Sequence, residues 1–245
     1  MTSSLDNLRV VLVGTRNPLN IGAAARAMSN FGARHLRLVK PYELAFREAR
    51  SAVGAAELMA TAKVYGTVAE AVTDCRLVVG TTAAGRRELQ HELRRLEAGA
   101  RTIRRELATG RVALLFGSEK VGLSNEEMSH CHWLMRIPTR EEHGSMNLGQ
   151  AVAVCLYEMV RSGKMVRAKG EEQRAAAGDL ERLTRLLFDA LKASGYVKPR
   201  AANVTEEKLR RLVRRMNLSD ADAEVWLGML RQIEWKLGAS EGRQS

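Results

Sequence analysis

Apolar residues along this chain take two recurring forms: short runs that stop at polar loops, and longer stripes spaced three and four apart. Arg9 to Val13, Leu36 to Val39, Leu77 to Val79, Val112 to Phe116 and Trp133 to Ile137 are compact apolar runs of the kind that make buried strands. Val64 to Tyr65 is a shorter candidate. Between them lie helical patterns. Ile21, Ala24, Ala25, Met28 and Phe31 share one side before Gly32, with Arg26 expected on the opposite side beside Gly22, Ser29 and Asn30. Leu44 to Ala62 is alanine-rich with a break near Gly54, and Val68 to Val72 reads as a brief helix. Strands alternating with helices predict an α/β protein.

The stretch from Arg111 to Tyr157 carries the densest punctuation. Val112 to Phe116 runs into Gly117 and the polar Ser118 to Lys120. Ser124 stands three residues before Glu127, capping-box spacing, which predicts a helix over Asn125 to His130. Pro138 ends the next strand and a polar loop with Gly144 follows. Ser145-Met146-Asn147 then opens a helix with Leu148, Val152, Cys155, Leu156 and Met159 on one face, closed by Gly163. Polar loops at the carboxyl ends of strands are where open α/β sheets bind ligands, although spacing alone leaves Gly117, Gly122 and Gly144 equally readable as turn glycines.

Arg86 to Glu97 is polar nearly all round and, with Ala100 to Ala108, reads as basic helical sequence. Residues 1–163 thus form one α/β domain. The run from 164 to 178 is charged and lacks an apolar stripe, as a linker does. Over 179–245, Leu180, Leu183, Leu187 and Leu191 follow one helix that Gly195 ends, Thr205 caps a second through Met216, and Ser219 with Asp222 opens a third to about Leu237. A small all-helical extension is expected there.

Charge narrows the partner. Lys and Arg number 39 against 28 Asp and Glu, a formal net charge of +11 with a pI near 10.1, which favours a polyanion such as RNA. Aromatic residues are only 4% of the chain, so base stacking is not expected to dominate binding. Cys75, Cys131 and Cys155 have no paired spacing, which argues for a reducing compartment and against a disulfide framework or zinc ribbon. MTSSLDNLRVVLVG lacks a leader pattern and no run is long enough to span a bilayer, so a cytoplasmic protein away from membranes is expected. Gly80 to Gly85 approaches a phosphate-binding loop, but Arg86 and Arg87 replace its lysine and hydroxyl residue, which excludes nucleotide hydrolysis of that type. No glycine fingerprint for a dinucleotide follows any strand. His130, Cys131, His132 and His143 cluster without a second ligand pair, so no metal is expected.

FGSEKVGLS, then IP, then SMNLGQAVAV resemble the second and third motifs of the SPOUT methyltransferases, in their ribose 2′-O branch typified by TrmH; NPLNIGAAARA from Asn17 to Ala27 matches the first. The resemblance reaches to about Gly163. It implies a trefoil-knotted α/β domain that binds S-adenosylmethionine and works as a homodimer. It further implies catalytic positions at Arg26, Asn20, Glu119, Ser145 and Asn147. For the cofactor it implies Thr81, Thr82, Phe116, Gly117, Ser118, Glu119, Gly122, Ile137, Pro138, Ser145, Met146 and Leu148. Because a guanidinium holds its proton to a pKa above about 12, Arg26 is expected to orient and stabilise charge rather than act as a base.

DLERLTRLLFDALKASGYV and KLRRLVRRMNLSDADAEVWLGMLRQIE resemble the C-terminal extension of bacterial enzymes of this branch that methylate tRNA at nucleotide 32 of the anticodon loop. With a tRNA partner, Arg16, Arg86, Arg87, Arg210, Arg211 and Arg214 are the expected phosphate contacts. Two other readings compete: a ribosomal RNA ribose methyltransferase, and a knotted RNA-binding protein without catalysis. The presence of Arg26, Glu119, Ser145 and Asn147 weighs against the last.

Overall fold

A computed structural model describes residues 5–42, 55–83, 90–140, 145–161 and 173–241. In chain order the described elements are β1 (Leu8–Val13), α1 (Pro18–Phe31), β2 (His35–Val39), α2 (Ala56–Thr61), β3 (Lys63–Tyr65), α3 (Val68–Val72), β4 (Leu77–Thr81), β5 (Leu93–Arg95), α4 (Leu96–Leu107), β6 (Val112–Phe116), α5 (Asn125–Ser129), β7 (Trp133–Arg136), α6 (Leu148–Val160), α7 (Ala177–Ala193), α8 (Ala202–Arg215) and α9 (Asp220–Glu241). The seven strands make one sheet in the order β3-β2-β1-β6-β4-β7-β5, with every neighbouring pair parallel.

Register explains why the central strands read as unbroken apolar runs. Val10, Leu12, Leu114, Phe116, Val79 and Met135 face α1, α2, α4 and α6, while Val11, Val13, Val78, Leu115 and Leu134 face α3 and α5. Both faces are covered, so neither parity along a strand can be polar. Arg37 is the exception in β2. Its guanidinium donates to both carboxylate oxygens of Asp74 (2.6 and 2.8 Å) and to the Ala71 carbonyl (2.6 Å), which makes its burial tolerable.

The edges depart from the sequence reading. β5 falls within the segment expected to be helical, because its pairing with β7 supplies a ladder that polarity alone does not reveal; short edge strands tolerate such polarity. Local caps behave as expected: Ser124 and Glu127 form the reciprocal capping box of α5, and Gly32 ends α1 at φ 74°. Gly22 is buried, and Ala23 instead shares the exposed side with Arg26.

α7, α8 and α9 have their own apolar centre, with Leu180, Leu183, Val213, Leu218, Leu227 and Leu230. They also join the sheet unit: the Ala177 and Gly178 amides donate to the Cys75 and Thr73 carbonyls (2.8 and 3.0 Å), and Arg76 pairs with Asp220 at 2.6 Å. Thr205 lies inside α8 with its hydroxyl on the Ala201 carbonyl, so it is not the cap the sequence suggested.

Candidate active site

β6, β4 and β7 are adjacent and parallel, so the loops after Phe116, Thr81 and Arg136 emerge side by side at the carboxyl edge of the sheet. They enclose a cleft of about 530 Å³ with the start of α6. The loop after β6 folds back on itself: the Gly122 amide donates to the Ser118 carbonyl at 2.8 Å, with Gly122 at φ 69°. A side chain on Gly117 would place Cβ 2.1 Å from the Gly122 carbonyl carbon, so this glycine is required by close backbone approach rather than by a generic turn.

A relay of side chains crosses the site. Asn147 caps α6, its Oδ1 accepting from the Gly149 and Gln150 amides (3.0 and 3.4 Å). With that oxygen committed, its amide nitrogen is left to donate, and it does so to Asn20 Oδ1 at 2.8 Å. Asn20 in turn donates to Glu119 Oε1 at 2.9 Å, and Glu119 Oε2 accepts the Arg16 amide at 3.4 Å. The N-terminus of α6 thereby sets the polarity of the chain of bonds, which terminates on a carboxylate.

Asn20 belongs to α1 rather than to the loop before it. The loop from Ser118 to Gly122 and Asn20 also wall a second cleft of about 760 Å³, completed by Gly14, Arg16, Asn17 and Pro18. The relay thus stands at the boundary between two clefts.

Eleven of the twelve residues assigned to the cofactor from sequence, Thr81, Thr82, Phe116, Gly117, Ser118, Glu119, Gly122, Ile137, Ser145, Met146 and Leu148, line the first cleft. Pro138 does not, although its neighbours Ile137 and Thr139 do. Leu123, Met128, Met135 and Ala151 were missed, since nothing local separates them from other apolar core positions. Arg26 is exposed on α1 and is not among the described residues lining either cleft.

A model of the family described as "SpoU rRNA Methylase family" matches residues 7–157. The chain belongs to this family. Among relatives, the tRNA (cytidine/uridine-2'-O-)-methyltransferase TrmJ of Sodalis glossinidius is 36% identical over 236 residues, covering 94% of this chain and 92% of its own length. That of Cronobacter sakazakii is 35% identical and covers 94% and 97%. Among solved structures, TrmJ from Z. mobilis ZM4 superposes with a TM-score of 0.81 at 32% identity over 92% of this chain and 98% of that one. A probable methylase family protein from Haemophilus influenzae Rd KW20 gives 0.57 at 31% identity over 96% and 99%.

In this SpoU methylase two of the three tail arginines assigned to RNA do not stand where RNA could meet them. Arg210 and Arg214 are buried, at 6% and 1% exposure, correcting their assignment as phosphate contacts. Arg210 grips Glu181 through Nε and Nη2 (3.0 Å each at closest) and Glu206 at 2.6 Å; Arg214 lies 3.6 Å from Glu181 and donates to the Ala177 carbonyl. An arginine stripe on a helix reads the same whether it faces water or a buried acid, and only the packing of α8 against α7 and α5 separates the two. The Arg211 side chain is mostly buried, 3.6 Å from Glu207, Arg16 is exposed at the second cleft, and Arg86 and Arg87 lie outside the described residues.

The histidines serve the interior. Burial pushes His132 far down and keeps it neutral, so that its Nδ1 accepts the Val78 amide at 3.1 Å. Burial likewise lowers His130, which sits 3.6 Å from Glu181, and raises the Cys131 thiol to about 12. His143 lies outside the described residues. No helix among the described residues is long and apolar enough to cross a membrane.

Proposed function

We propose that this chain transfers the methyl group of S-adenosylmethionine to a ribose 2′-hydroxyl of tRNA, at nucleotide 32 of the anticodon loop. The observation that carries the reading is the Asn147–Asn20–Glu119 relay at the boundary of two clefts. The tRNA assignment draws on relatives named as tRNA enzymes that are similar through the tail as well as the sheet unit.

The residues of the first cleft suit that cofactor. Its volume falls within the range of about 300–1,000 Å³ common for small-molecule sites. Phe116, Met135, Ile137, Met146 and Leu148 offer apolar walls, while Glu119 and Lys120 balance in charge, so a cation is not repelled. Phe116, Gly117, Ile137, Met146, Leu148 and the main chain of 81–83 would hold it. Thr81 acts as a strut, its hydroxyl donating to the Leu115 carbonyl at 2.9 Å. The bound cofactor supplies an electrophilic methyl group on sulfur. A Gly117→Ala chain is expected to fold but to bind S-adenosylmethionine roughly tenfold or more weakly by calorimetry, because its loop must move. Unchanged affinity would remove that loop from the site.

A ribose hydroxyl is a weak nucleophile, so the protein must hold it in line and let its proton leave. Glu119 and Asn20 face both clefts and are placed to orient a hydroxyl entering from the second. Arg26 is not among the described residues lining either cleft of its own chain, so in this reading its role comes with the homodimer: a second copy would present its Arg26 across the joint. Leu19 and Tyr157, 78% and 56% exposed on the packed pair α1 and α6, give such a contact apolar surface. The knotted topology belongs to the same reading.

The test is transfer of labelled methyl from S-adenosylmethionine to unmodified tRNA and ribosomal RNA transcripts, with the modified ribose mapped. Label at tRNA nucleotide 32 is the expected result. Label on ribosomal RNA, the substrate in the family's own description, would keep the chemistry and replace the target.

A further inference from the structure

A further groove, about 410 Å³, runs between β5 and α4, lined by Glu92, Arg94, Ala98, Arg101, Thr102 and Arg105. We infer that it is a binding track for the phosphodiester backbone of the substrate RNA, distinct from both clefts. This rests on the tRNA reading above and adds where the strand runs beyond the reacting ribose.

α4 buries Leu96, Gly99, Ala100, Ile103 and Leu107, and turns Arg101 and Arg105 outward one helical turn apart. Its other arginine, Arg104, donates to the Glu158 carbonyl at 3.1 Å and ties α4 to α6. The usual preference for cations near a helix C-terminus accounts for Arg104 and Arg105, but not for Arg101 in the middle, nor for Arg94 on the opposite wall.

Arg94 is already held in place. Its Nε and Nη2 donate to the two oxygens of Glu92 (2.7 and 2.8 Å), and its guanidinium lies 4.6 Å from the centre of the Trp133 ring. Among the described residues lining the groove there are thus three guanidinium groups and one carboxylate, a concentration of positive charge held by a helix and a strand. No aromatic side chain is among the described residues lining it, so these residues offer charge and donors to phosphates rather than a surface for stacked bases. Such a track positions an RNA without reading its sequence.

Its location suits that task. Arg94 is in register with Met135 across the β5–β7 ladder, and Met135 lines the first cleft. The groove lies one strand outboard of the cleft, so an RNA strand with a ribose at the cleft could lay its flanking phosphates there.

The test uses the full chain with Arg101→Gln and Arg105→Gln together. The KM for tRNA should rise roughly tenfold with kcat at saturating tRNA little changed, and the slope of log affinity against log salt should become shallower by roughly one to two. Arg101→Lys with Arg105→Lys should restore most of both, and unchanged S-adenosylmethionine affinity would show that the cleft is intact. An unchanged KM and salt slope would overturn the inference. So would a shift of the glutamine variant to a smaller species in gel filtration, which would assign the groove to a protein contact. If the wild type binds tRNA but methylates none, the proposed function fails, while the salt slope still decides the groove.

Discussion

Arg26→Ala is expected to lower kcat for methyl transfer by roughly 10²- to 10³-fold, the scale of losing one preorganised donor aimed at developing charge, with tRNA affinity changed little. Arg26→Lys should recover only a small part, because an ammonium lacks the planar fork that can hold a hydroxyl and a neighbouring phosphate together. Full activity in the lysine variant would show that a point charge suffices. The geometry adds a sharper test. Since Arg26 is exposed on α1 and is not among the described residues lining either cleft of its chain, Arg26→Ala and Gly117→Ala chains should complement when mixed at an S-adenosylmethionine concentration too low to fill the Gly117→Ala cleft. In the proposed twofold dimer, random exchange of subunits then restores roughly a quarter of the wild-type sites. No recovery despite demonstrated subunit exchange would place Arg26 in action within its own chain.

The second large effect is expected away from the chemistry, at Glu181. This carboxylate, 16% exposed, faces Arg210 at 3.0 Å and Arg214 and His130 at 3.6 Å. Arg214 bears the strain of the arrangement: burial lowers its guanidinium to about 10, and its Nε and Nη1 have no hydrogen-bond partner among the described residues. Glu181→Ala would strand that charge and should destabilise the protein by about 3–5 kcal/mol in urea unfolding. Combining Glu181→Gln with Arg214→Met should recover much of the loss, since the buried Arg214 charge is then gone and Arg210 keeps its pairing with Glu206 at 2.6 Å. A loss below about 1 kcal/mol in the alanine variant would mean that water already screens the site.

Acid should expose the same node. Burial favours the neutral form of Glu181, but the nearby His130 ring and the Arg210 guanidinium override it and hold the carboxyl at about 2, below its ordinary 4.5. The unfolded chain therefore takes up this proton first as pH falls, and stability present above about 4.5 is lost progressively toward 2. His130 and His132 add a loss that begins higher: burial depresses both, so below the ordinary 6.5 the unfolded chain gains protons that the folded chain refuses. Urea midpoints should accordingly fall from pH 7 to 5 and again from 5 to 3, and Glu181→Gln should flatten the second fall.

Local order was legible wherever it rests on a residue's immediate neighbours. Strands buried on both faces are apolar at every position unless a buried charge is paired, so Leu77–Val79 and Val112–Phe116 announced themselves. Ser124 with Glu127, and Gly32, marked helix ends because caps act over three or four residues. Motifs at Asn17, Phe116 and Ser145 were readable because loops at strand ends carry glycine and polar residues in fixed order. From these the α/β class, the family and most of the first cleft followed.

Tertiary structure decided whatever depends on partners distant in the chain. Asn20 meets Glu119 and Asn147 only because strand order sets β1 beside β6 and α1 against α6; no local pattern encodes that meeting. β5 is a strand because β7 offers it a ladder, although its own residues suggested helix. Arg210 and Arg214 turned inward because Glu181 waits on α7, whereas Arg101 and Arg105, of the same type and spacing, turned outward. Side-chain chemistry and period set what each segment could become, but whether a charge meets water, an acid or an RNA depends on long-range packing, which no window along the chain contains.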